Sequence, residues 1–99
     1  MKLCYTDLAL ADLNAVLDYV GMHSPSGALN VRRRIQRVIS LLSTHPHIGQ
    51  RTADPVVRRV NTAPYPYLVF YQVTEAEIII HAVRHAARDP SGTLDAPRD

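Results

Sequence analysis

Residues 56 to 84 read VVRRVNTAPYPYLVFYQVTEAEIIIHAVR, and this stretch decides the fold. It holds three runs rich in β-branched and aromatic side chains, separated by turn residues, the composition of neighbouring antiparallel strands. Residues 56 to 62 form a basic-apolar run, Ala63-Pro64-Tyr65-Pro66 a turn, and residues 67 to 74 the second run. Glu75 to Glu77 turn the chain again into residues 78 to 84. There Ile78, Ile80 and Ala82 alternate with Ile79, His81 and Val83, so both sides are apolar and the strand is expected inside the sheet.

Toward the N-terminus the apolar period lengthens from two to 3.6. Ala28, Val31, Ile35, Val38, Ile39 and Leu42 share one helical face, with Arg33 and Arg37 opposite. Ser24-Pro25 supplies the start of this helix and His45-Pro46 its stop. Before it, Ala9, Leu13, Val16, Leu17 and Val20 mark an amphipathic helix over about residues 7 to 23, capped by Thr6 or Asp7. One or two residues separate the helices, so they fold back as an antiparallel hairpin. Residues 2 to 6 read as a first strand, and residues 47 to 55, HIGQRTADP, as a loop. The expected fold is α+β in the order β-α-α-β-β-β, a helical hairpin packed on one face of a mainly antiparallel four-stranded sheet. Residues 1 to 90 form one domain, and residues 91 to 99 a flexible tail.

The 99 residues are 46% hydrophobic and 20% charged, which fits a globular chain and excludes disordered, fibrous and coiled-coil readings. No run is long and apolar enough to span a membrane, so a cytoplasmic protein without membrane attachment is expected. The single cysteine, Cys4, excludes an internal disulfide and reads as core filler. His81 and His85 lie about 13 Å apart if extended, too far to share a metal, and His45-Pro46-His47 lacks further ligands; neither a metal nor a cofactor is expected.

Charge is uneven. Ten arginines accompany one lysine, and residues 32 to 59 hold seven arginines against Asp54 alone, while both flanking segments are mildly acidic. A basic middle suits an anionic partner, either nucleic acid or an acidic protein segment; the plain alternative for Arg32, Arg33, Arg34 and Arg37 is a solvated helix face.

Together these residues resemble the RelE/ParE superfamily of bacterial type II toxins. The resemblance rests on Ala11-Asp12-Leu13, Asp18-Tyr19-Val20, Ser24-Pro25, Leu42 through His45-Pro46, Gly49-Gln50 and Val57-Arg58-Arg59. It continues through Pro64-Tyr65-Pro66-Tyr67-Leu68-Val69-Phe70-Tyr71, Val83-Arg84-His85 and Arg88-Asp89-Pro90. It is nearer the ParE branch, whose members act on DNA gyrase, than the RelE branch, whose members cut messenger RNA in the ribosome. RNA cleavage needs a proton acceptor, cations and a proton donor. Here the only lysine is Lys2, residues 47 to 55 hold no glutamate, and no tyrosine follows Tyr71.

The resemblance thus implies a non-enzymatic, growth-arresting toxin that interferes with gyrase and is neutralised by a cognate, ParD-like antitoxin. Arg58, Arg59, Arg84, His85 and Arg88 are the expected target contacts. In the alternative, a ribosome-dependent endoribonuclease acting on ribosome-bound mRNA, Arg84 would hold phosphate and His85 carry a proton; a third reading is an inactive antitoxin-binding relative. A structural alternative for the pair has His85 hydrogen-bonding across the sheet and Arg84 pairing with Asp89. Leu10, Leu29 and Leu41, at the margins of the helical stripes, are the expected antitoxin contacts.

Overall fold

The computed structural model describes residues 1 to 87. Its elements are β1 (Lys2–Tyr5), α1 (Asp7–His23), α2 (Pro25–Leu42), β2 (Gln50–Arg51), β3 (Val57–Thr62), β4 (Tyr65–Val73) and β5 (Glu77–His85). The strands form one sheet in the order β1-β5-β4-β3-β2, with β1 parallel to β5 and the other pairs antiparallel. The sheet has five strands, not the expected four. The extra one, β2, lies in the expected loop and pairs through Gln50 with Arg59 and Arg51 with Arg58; two residues are too few to show an alternation. The turn before β4 is also shorter than expected, since Tyr65 and Pro66 already belong to the strand.

Local chemistry explains the helical hairpin. The Thr6 hydroxyl accepts from the Ala9 N–H at 3.0 Å and caps α1. Ser24 serves both helices: its N–H donates to the Val20 carbonyl at 2.8 Å, and its hydroxyl accepts from the Gly27 N–H at 3.0 Å. Pro25 then occupies the first turn, where a missing N–H leaves no helical bond unmade. At the far end the Ser43 hydroxyl donates to the Ser40 carbonyl at 2.7 Å, occupying one of the last free acceptors of α2.

The core lies between the hairpin and one sheet face. Val31, Ile35, Ile39 and Leu42 of α2 pack with Ala9 of α1 and with Tyr67, Val69, Tyr71, Ile78, Ile80 and Val83. Each valine, leucine or isoleucine side chain among them contributes about 1.5–3 kcal/mol when removed from water. Of the α1 stripe only Ala9 is fully buried; Leu13, Val16, Leu17 and Val20 are half-buried. The second sheet face, called the open face below, carries Val57, Phe70, Ala82 and Leu68.

One irregularity changes the reading of β5. Phe70 pairs with Ala82 but Tyr71 pairs with Ile80, so His81 is an extra residue, a β-bulge. The alternation reverses across it: Ile78, Ile80 and Val83 face the helices, while Ala82 faces the other way. The expected grouping of Ala82 with Ile78 and Ile80 is corrected accordingly. Cys4 is corrected too. It is only half-buried, and its thiol donates to Glu77 Oε1 at 2.7 Å; the hydrogen bond to that carboxylate pushes the thiol pKa up.

Candidate functional site

Alternation along β4 sorts the basic candidates onto the two sheet faces. Tyr67, Val69 and Tyr71 face the helices, so Leu68, Phe70 and Gln72 face the open side. Arg58 pairs with Tyr71 and Arg59 with Phe70, which puts them on opposite sides as their adjacency predicts. Arg58 Nη1 donates to the Gly49 carbonyl at 2.9 Å and to the His47 carbonyl at 3.5 Å, pinning the loop before β2. Arg59 donates from Nε and Nη2 to Gln50 Oε1 at 3.2 and 3.0 Å, a contact across the β2–β3 pair.

Arg84 and His85 separate in the same way. Arg84 pairs with Leu68 on the open face, and His85 pairs with Tyr67 on the helix side. The Arg84 Nε donates to Asp12 Oδ2 at 3.3 Å; that same oxygen accepts from the Val83 N–H at 3.0 Å. Asp12 therefore continues the edge of β5 beyond β1, where Thr6 also donates from its N–H to the Ile80 carbonyl at 3.0 Å. The His85 ring stands edge-on to Tyr67 with centroids 5.4 Å apart, and its Nδ1 accepts from the Ala87 N–H at 3.1 Å. With the Nδ1 lone pair used, the neutral ring carries its proton on Nε2. Among the described residues His85 meets an aromatic ring across the sheet and Arg84 pairs with the Asp12 carboxylate. Asp89 and Arg88 lie outside the described residues.

On the open face Arg59 and Arg84 are two strands apart, about 10 Å, and about 7 Å out of step along the strands. They flank Leu68 and Phe70, forming a basic rim around an apolar patch, a surface suited to an acidic or anionic partner.

Beside this rim lies a cleft of about 430 Å³ that includes Leu8, Val56, Val57, Gln72 and His81 in its walls. His81 Nε2 and Gln72 Oε1 are 2.9 Å apart, so a proton on Nε2 is donated to the amide oxygen. From Leu8 an exposed apolar stripe runs up α1 through Ala11, Ala15, Tyr19 and Met22, spaced by three or four residues and pointing away from the core. Leu8 is 51% exposed, Tyr19 44% and Met22 81%. Sequence reasoning missed this stripe because it followed the inner one; the signal was that α1 is apolar on both sides.

Leu10, Leu29 and Leu41 are all exposed, as their marginal positions predict. They do not form one patch: Leu29 and Leu41 lie about 18 Å apart along α2 and about 120° apart around it.

A family model described as the ParE toxin of the type II toxin-antitoxin system parDE matches residues 3–90. The chain belongs to the ParE toxin family. Its β-α-α-β-β-β-β order is accordingly that of a ParE-type toxin. Among relatives, this family member is 36% identical over 87 residues to Toxin RelE2 of Caulobacter vibrioides, an alignment spanning 88% of this chain and 97% of the relative. Among solved structures it is similar to a chain of the chromosomal ParDE toxin-antitoxin system from P. aeruginosa. The TM-score is 0.77 at 26% identity, covering 86% of this chain and 95% of that one.

Proposed function

We propose that this ParE-family toxin arrests growth by docking to DNA gyrase and is neutralised by a cognate antitoxin. The observation that carries the docking mechanism is the separation of Arg84 from His85. A nuclease needs its phosphate-binding cation and its proton carrier to converge on one scissile bond. Here the two point to opposite sides of β5, the Arg84 Nε is engaged by Asp12, and His85 Nδ1 holds the Ala87 N–H. Arg59 and Arg84 on the open face are the target contacts we favour, with Arg88 beyond them in the chain. Arg58 and His85 then support that face from the helix side.

The antitoxin reading is supported by uncovered apolar surface. The outer stripe of α1 has leucine, tyrosine and methionine at its ends and alanines in its middle, so a partner helix could approach its backbone closely. Leu8 joins that stripe to the open-face cleft, which offers an extended segment a continuous route. Leu10, Leu29 and Leu41 add further exposed apolar contacts.

Two experiments test the function. Purified protein should inhibit supercoiling by gyrase, and Arg84→Ala should weaken that inhibition at unchanged folding; no inhibition at concentrations that arrest cells overturns the gyrase reading. Cleavage of ribosome-bound messages by the wild type but not by His85→Ala would replace it with the nuclease. For the antitoxin, Ala15→Asp should weaken capture of the protein encoded beside this one at least tenfold while leaving the melting temperature intact; undiminished capture rejects the α1 stripe.

A further inference from the structure

Between the exposed Leu29 and Leu41, the outward side of α2 carries a polar stripe that the gyrase and antitoxin readings do not use. Ser26, Asn30, Arg33, Arg37 and Ser40 follow one another at steps of four and three residues, so they form one stripe along the helix. All five are exposed, and each carries a hydrogen-bond donor. The stripe contains no apolar side chain, and residues 19 to 53 contain no aspartate or glutamate. Arg33 and Arg37 make no ion pair among the described residues, and about 6 Å of helix rise separates them. Beside the stripe, the β3–β4 turn forms the opposite wall of a groove of about 260 Å³ that also includes Arg34 and Tyr65. Arg34 Nε donates to the Ala63 carbonyl at 2.7 Å, so the turn is held against α2 and the groove is already formed.

We infer that this stripe docks the sugar–phosphate backbone of duplex DNA. Positive charge with neutral donors on either side is the chemistry that binds phosphate oxygens, and arginine forks suit them better than ammonium groups do. An acidic peptide helix would present a row of apolar anchors as well as carboxylates, and the exposed leucines that flank the stripe, Leu29 and Leu41, lie about 18 Å apart on opposite sides of it. Single-stranded RNA is held largely by stacking of its bases on successive aromatic rings, and here the stripe carries none and the groove beside it only Tyr65. Contacts from these side chains to phosphate oxygens carry no sequence information, so binding without sequence preference is expected. The choice of DNA as the duplex rests on the gyrase reading, because gyrase holds duplex DNA; the donor pattern does not.

The test is fluorescence anisotropy of a labelled duplex of roughly two helical turns, ~20 base pairs, with the full chain and without gyrase. Three phosphate contacts from Arg33, Arg34 and Arg37 predict that affinity falls about 40-fold between about 50 and about 200 mM salt. Arg33→Ala with Arg37→Ala leaves one contact, so the fall shrinks to about 3- to 4-fold, with far-UV circular dichroism and melting unchanged. Arg33→Lys with Arg37→Lys keeps the charges and should keep the wild-type salt dependence. Undetectable binding at the lower salt, or unchanged binding by the double alanine variant, overturns the inference. So does competition by polyglutamate equal to that of DNA, which points to an acidic protein, or stronger competition by single-stranded RNA. A negative gyrase assay beside positive DNA binding would reject the gyrase reading alone.

Discussion

Tyr71→Phe removes one oxygen from the most constrained tyrosine of the fold. The Tyr71 side chain has no exposed surface. Its hydroxyl donates to the Pro46 carbonyl at 2.8 Å and accepts from the Gly49 N–H at 2.9 Å, tying the segment before β2 to the centre of the sheet. Phenylalanine preserves the ring packing and deletes both bonds. Gly49 is buried, so its stranded N–H costs about 1–3 kcal/mol, and the lost bond to Pro46 adds about 1 kcal/mol. The expected loss is therefore about 2–4 kcal/mol, a drop of roughly 10–25 °C in melting temperature for a chain of this size. Urea unfolding followed by circular dichroism measures it, and hydrogen exchange at the Gly49 amide should accelerate in parallel. A loss below about 0.5 kcal/mol, or an unchanged Gly49 amide, refutes the role assigned to the hydroxyl.

Further outcomes follow from the same contacts. Burial pushes the Tyr71 pKa above its ordinary value of 10.0, although the Gly49 amide and Arg58 pull it down. The unfolded chain ionises first as pH rises, so this contribution is intact below about pH 10 and is lost as pH climbs through the folded-state pKa. Tyr71→Phe should flatten the alkaline limb of a stability profile, leaving the slope due to Cys4, raised by its bond to Glu77, and to Tyr5, raised by burial. Asp12→Ala strands the Val83 N–H and removes the Asp12 contact of Arg84, and should cost about 2–3 kcal/mol in urea titrations, whereas Asp12→Asn keeps an acceptor and should cost about 1 kcal/mol; equal losses would show that the charge is irrelevant there. Gly49→Ala would place a Cβ 2.6 Å from the Tyr71 hydroxyl and 2.7 Å from the Arg59 carbonyl oxygen. Forcing these apart should cost about 1–3 kcal/mol, read as a lower melting temperature; an unaffected melt would mean that this loop yields freely.

The helices were legible because each fixes its own boundaries: Thr6 and Ser24 cap with their side chains, and the inner stripe of α2 is unbroken from Val31 to Leu42. The long strands were legible from β-branched and aromatic runs. What escaped was set by pairing. The bulge at His81 arises because β4 and β5 differ by one residue in their count across the pair, and no local pattern in IIIHAVR signals it. It also decides the site, since adjacent residues on a strand point to opposite faces however well matched their chemistries are. Arg84 and His85 look like a pair on paper and are separated by the sheet itself. Asp12 lies off the inner apolar stripe of α1 and completes the edge of β5 from 71 residues away, a long-range contact invisible to helical periodicity.

The central place of β5 has a consequence for synthesis. Leu3 and Tyr5 of β1 lie beside Ile78 and Ile80, and the helical hairpin rests on residues that come just as late. At roughly 5–20 residues per second the ribosome takes about 4 to 15 seconds to travel from β1 to β5. During that interval the first strand and both helices have no platform, so the native surfaces cannot assemble on a partial chain. A ribosome that stops before Glu77 releases a fragment without the strand that joins β1 to β4, and the folded surfaces exist only once β5 has been made.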